Sequence, residues 1–85
     1  MIKICENTLE GVTISLYSDG NENRHQTLEM SCGKRTETTG VIAPVDFFTI
    51  SSAIMCNKTL TGFVEDIIGT WCETVLKDMV EFIKR

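Results

Sequence analysis

Four cysteines, at positions 5, 32, 56 and 72, and a single histidine, His25, are the residues with the greatest capacity for nucleophilic or metal chemistry in this chain. Zinc sites usually draw two ligands from positions two to four residues apart, and then repeat the pair. Here successive cysteines lie 27, 24 and 16 residues apart, no CxxC occurs, and His25 is seven residues from Cys32. No resident metal is expected. A Cys–His nucleophile needs the two side chains within hydrogen-bond reach. If His25 and Cys32 share one straight strand, their seven-residue separation spans more than about 20 Å, which excludes that pairing. His25 stands between Arg24 and Gln26 beside a turn cluster and reads as a surface histidine.

Other chemistry-bearing patterns fail on specific positions. No serine sits in a Gly-x-Ser-x-Gly elbow. Gly33-Lys34-Arg35-Thr36 has the look of the end of a phosphate-binding loop, but position 28 is Leu where the upstream glycine belongs. Arg35 also occupies the place of the required hydroxyl residue. Glu65-Asp66 lies off the apolar stripe of its segment, and so toward solvent. Asn57-Lys58-Thr59 matches a glycosylation sequon that matters only in a secreted protein. The reading is a protein that is not an enzyme and carries no cofactor.

Size and charge narrow the alternatives. A chain of 85 residues has room for one domain and one core, well short of a dinucleotide-binding or barrel fold of about 150–250 residues. The net charge of −4 and the pI near 4.8 oppose nucleic-acid binding, which needs a basic stripe to displace counterions. An acidic mimic of DNA is also disfavoured. Residues 1–43 and 44–85 each carry six acids and four bases, so the charge is spread evenly. Met1 to Cys5 opens no long apolar stretch, and no run approaches the eighteen residues of a membrane span. No signal peptide is expected, and the location expected is cytoplasmic. There the cysteines would stay reduced and pack as small hydrophobes rather than form the two bridges of a secreted miniprotein.

The elements follow from periodicity. Ile2–Cys5, Val12–Tyr17, Thr27–Cys32 and Arg35–Ile42 alternate or are β-branched, as half-buried strands are. Val12, Ile14 and Leu16 share one face, as do Leu28, Met30 and Cys32. Lys3, Thr13, Ser15, Tyr17, Thr27, Glu29 and Ser31 fall on the other, polar face, where Tyr17 is a candidate recognition residue. Residues 18–23 form a dense turn cluster, and Gly33-Lys34 a tight turn. The polar fourth strand suits an edge, where charge discourages pairing with another chain. After Pro44 the period changes. Phe47, Ile50, Ala53 and Ile54 share a helical face, with Asp46 as N-cap and Val45–Ile50 as a staple. Residues 45–51 also suit a strand.

From Thr59 or Leu60 to Lys84 the pattern is helical, but one straight rod does not fit. Twenty-five helical residues span about 37 Å, against a diameter of roughly 31 Å for a globule of this length. The apolar arc of Leu60–Ile68 is offset by about 100° from that of Trp71–Ile83. Either Gly69 breaks the helix with Thr70 capping a second one, or the helix continues and its second half packs on something else. The fold expected is therefore α+β. It is one domain, a four-stranded antiparallel meander (residues 1–43) followed by two or three helices on one sheet face (residues 44–85).

These observations point to a partner-binding surface at Trp71, Val75, Met79, Val80, Phe82 and Ile83, with Tyr17 as a separate candidate. The leading expectation is a small acidic inhibitor or regulator that occludes a larger, possibly basic protein. Immunity proteins and phage anti-defence proteins, anti-CRISPR proteins among them, are analogues in size and charge only. The alternative is a homodimer or assembly subunit joined through the C-terminal helix.

Overall fold

Two reversals set the register of most of the sheet. The computed structural model describes residues 2–18, 26–40, 47–68 and 73–84. Strands β1 (Ile2–Leu9), β2 (Val12–Ser18), β3 (Gln26–Cys32) and β4 (Arg35–Gly40) form one antiparallel sheet in the order β1-β2-β3-β4. Glu10 and Gly11 join β1 to β2 with φ of +52° and +80°. Positive φ at both central residues is the pattern of a type I′ turn, whose twist matches that of the strands. Gly33, at φ +61°, supplies the single positive φ of the β3–β4 turn. β1 therefore runs four residues beyond the expected Cys5 boundary and meets β2 through the Leu9–Val12 pair.

Three helices follow, α1 (Phe47–Cys56), α2 (Leu60–Ile67) and α3 (Glu73–Lys84). Residues 47–51 are helical, and the strand reading is set aside because Ile50, Ala53 and Ile54 bury one helical face. The Asp46 cap and the Val45–Ile50 staple involve positions outside the described residues. The long rod is resolved into separate helices of eight and twelve residues, about 12 and 18 Å long. Gly69 and Thr70 themselves lie outside the described residues.

The start of α2 is fixed from both ends of the chain. Thr59 is its N-cap, with extended dihedrals and a hydroxyl that accepts from the Gly62 N–H at 3.1 Å. The Glu10 carboxylate, fifty residues earlier, accepts from the Leu60 N–H at 2.7 Å. Asn57 joins α1 to α2, its Nδ2 donating to the Ala53 carbonyl and to Asp66 Oδ2, both at 2.8 Å.

One cluster of buried side chains unites the layers. The sheet contributes Leu9, Val12, Ile14, Leu16, Leu28 and Met30. The helices add Ile50 and Ile54 from α1, Phe63 and Ile67 from α2, and Leu76, Met79 and Ile83 from α3, with smaller neighbours. α1 lies over β1 and β2, and α3 lies over β3 and β4. Asn7 Nδ2 donates to the Ile54 carbonyl at 3.0 Å, and Arg35 Nη1 to the Phe82 carbonyl at 3.2 Å. The helices thus stack on one face and leave the other open, as antiparallel sheets permit.

Candidate functional site

The open face of the sheet is built in cross-strand rows. Lys3, Tyr17 and Thr27 form the first row, and Glu6, Ser15, Glu29 and Thr38 the second. Thr8, Thr13, Ser31 and Thr36 form the third. This is the polar face expected from alternation, with one correction: Ser15 is only 2% exposed. It is a short side chain on an inner strand, flanked by the longer carboxylates of Glu6 and Glu29.

A bulge organises the first two rows. The β1–β2 register shifts between Lys3 and Cys5, which returns Glu6 to the same face as Lys3. Lys3 Nζ then reaches Glu6 Oε1 at 2.8 Å and lies 5.8 Å from the centre of the Tyr17 ring, within cation–π range. Ser15 Oγ donates to the same Glu6 oxygen at 2.9 Å. The hydrogen bond to Glu6 raises the Lys3 pKa. The hydrogen bonds from Lys3 and then Ser15 lower that of Glu6. Both groups stay charged at neutral pH and hold one another across the Tyr17 ring. Alternation alone does not reveal this arrangement, because the bulge that creates it has no sequence signature here. In the third row the Thr8 and Thr13 hydroxyls share a hydrogen bond at 3.1 Å.

The second candidate surface is α3. Met79 and Ile83 are 3% exposed and belong to the core, so they offer little surface to a partner. Val75 and Val80 are half-buried against that core. Phe82, at 40% exposed, is the one residue that stands out among the described members of the C-terminal set. Trp71 lies outside the described residues. From Val75 onward the apolar arc is largely used inside the chain. Leu76, Met79 and Ile83 point down, Val80 turns toward α2, and Val75 and Phe82 turn toward β4.

Each flank of α3 borders a cleft. Between α2 and α3, Leu60, Val64, Ile68 and Val80 line a space of about 340 Å³ with Glu65 and Lys77 at its rim. Between α3 and β4, Val75, Met79 and Phe82 face Glu37 and Thr39 across about 260 Å³, with Asp78 alongside.

Among the described residues the chemistry-bearing side chains do not converge. Cys5 and Cys32 are half-buried against the core, whereas Cys56 is exposed rather than packed as a small hydrophobe. Burial pushes the Cys5 thiol up, against a hydrogen bond with Ser51 that pulls it down. Among the described residues no group of three or more His, Cys, Asp or Glu is placed to hold a metal ion, and no helix is long and apolar enough to cross a membrane. His25 and Cys72 lie outside the described residues. Comparison of the chain with protein-family models, curated proteins and solved structures yields no match.

Proposed function

We propose that this protein is a small non-enzymatic binding module that acts as an inhibitor or regulator, covering a surface of a larger protein. The observation that carries the reading is the ordered open face around Tyr17. Its ring is flanked by Lys3, which is itself tied to Glu6 and through it to Ser15. Side chains already held in one arrangement lose little conformational entropy on binding. Tyrosine supplies large contact area with a polar tip, which is why interfaces favour it. The net charge of −4 suits a basic partner, chiefly by steering encounter.

The test has two stages. A tagged chain is used to capture partners from its native host at physiological salt, and the affinity of each captured protein is then measured. Tyr17→Ala and Glu29→Lys are expected to weaken the specific partner by roughly tenfold or more, about 1.4 kcal/mol each, with an unchanged circular dichroism spectrum. Absence of any partner at physiological salt, or affinities indifferent to both substitutions, refutes the reading.

A further inference from the structure

We propose that a second copy of this chain docks on the β4 edge, extending the sheet to eight strands and setting α3 of one copy against α3 of the other. The two edges of the sheet are not equivalent. On β1 the register breaks at a bulge beside Ile4, the Asn7 side chain accepts the Thr8 backbone N–H at 2.9 Å, and the Lys3–Glu6 pair sits on the strand. These are the devices that blunt an edge against pairing. On β4 the register with β3 is unbroken from Arg35 to Gly40. Arg35 folds back onto the Phe82 carbonyl and Glu37 turns into the α3 cleft, so neither charge guards the rim.

The hydrogen-bonding pattern orients this edge outward. A two-residue turn at Gly33-Lys34 is closed by the Cys32–Arg35 pair, the hydrogen-bonded kind. Alternation then points the N–H and C=O groups of Thr36, Thr38 and Gly40 away from β3. In a two-fold pairing, residues of like face must stand opposite each other. Centring the axis on Glu37 would oppose that carboxylate to its own copy. Centring it on Thr38 sets Thr36 opposite Gly40 and Glu37 opposite Thr39, and makes about six inter-chain backbone hydrogen bonds.

The helices fit the same geometry. α3 lies over both β3 and β4, so its axis runs near the line between them. Neighbouring strands are about 4.8 Å apart. Adding a partner β4 therefore places the two α3 axes about 10 Å apart, the upper end of the 8–10 Å range of packed helices. The flank that each helix presents carries exposed Phe82 and half-buried Val75 above the open cleft of about 260 Å³. The second copy's helix would close that cleft. Asp78 lies on the same flank, so two carboxylates approach at the axis and limit the affinity.

Sedimentation equilibrium from micromolar to millimolar protein tests this. A reversible species of twice the 9.5 kDa chain mass is expected. Thr38→Pro removes an N–H that points outward, at an edge position where proline is tolerated, and is expected to weaken the dimer at least roughly tenfold. Phe82→Asp, on the helix and independent of any strain at position 38, is expected to do the same. Asp78→Asn is expected to tighten it. A chain that stays monomeric at millimolar concentration overturns the proposal. So does a dimer indifferent to Thr38→Pro and Phe82→Asp, or one weakened by Tyr17→Ala instead. Because the open face around Tyr17 is not used here, either this proposal or the partner-binding reading can fail alone.

Discussion

Replacing Glu10 separates two opposing contributions at one position. Its carboxylate accepts the Leu60 N–H at the first turn of α2, and its backbone holds φ at +52°. A hydrogen bond to a charged group contributes about 1.5–3 kcal/mol, and the lower end applies because Glu10 is exposed. The left-handed conformation costs a residue with a Cβ about 1 kcal/mol relative to glycine. Glu10→Ala keeps the backbone cost and loses the bond, so it is expected to destabilise by about 1.5–2 kcal/mol. Glu10→Gly loses the same bond but relieves the backbone, leaving a net loss of about 0.5–1 kcal/mol. At roughly 4–8 °C per kcal/mol for a domain of this size, alanine lowers Tm by about 6–16 °C and glycine by about 2–8 °C. Urea titrations of the three proteins, with thermal scans beside them, measure the difference. An alanine variant within about 0.5 kcal/mol of the parent would show that the carboxylate does not secure α2. A glycine variant as damaged as alanine would show that the turn is not strained.

Phe63→Ala, at a fully buried position beneath α2, is expected to cost about 3–5 kcal/mol in urea unfolding, a large part of the stability of any domain this small. Gly62→Ala should destabilise α2 although alanine is the better helix former by about 1 kcal/mol, because the new Cβ would meet Asn57 Oδ1 at 2.6 Å. Measured against Asn57→Ala alone, which has already lost the bonds to Ala53 and Asp66, the same Gly62→Ala change should be less damaging or stabilising, and the difference reports the clash. Glu6 titrates below its ordinary value in the folded chain. Its stabilising contribution is therefore complete above the ordinary glutamate range and disappears as pH falls through the lowered folded value. Glu6→Gln should flatten that part of the acid limb in pH-dependent unfolding. Alkylation of the native protein should reach exposed Cys56 before Cys5, whose thiol is half-buried and held up in pKa. Equal rates would contradict the packing of α1 on β1.

The strands were legible because alternation survives wherever one face is buried. Val12, Ile14 and Leu16 carry the signal as clearly as any segment of the chain, and all three lie in the core. The end of β1 was not legible. Glu6, Asn7 and Thr8 are polar on both faces of an edge strand, since Asn7 points inward to reach a helix carbonyl. Gly11 was the available clue to the turn. The C-terminal helices show the complementary limit. Periodicity located the apolar arc of residues 75–83 but not what covers it, so Met79 and Ile83 read as surface when the arc was laid on a single rod. Separating α2 from α3 gives that arc a core, a neighbouring helix and a strand edge. The Tyr17 surroundings depend on a bulge, and the Glu10–Leu60 contact on tertiary placement. Neither leaves a local pattern.

Among the described residues the polar ties Asn7–Ile54, Glu10–Leu60 and Arg35–Phe82 join the sheet to the helices across 47 to 50 residues. A chain made from its N-terminus completes the whole meander before any of the helices that cover it. At roughly 5–20 residues per second, β4 waits about 2–9 s for the last turn of α3. Through that interval Leu28 and Met30 have no lid. The nascent protein is then an apolar sheet with an open rim, the form in which edge strands are prone to pair wrongly. Shielding during synthesis, rather than stability once complete, would be the demand this topology places on its host.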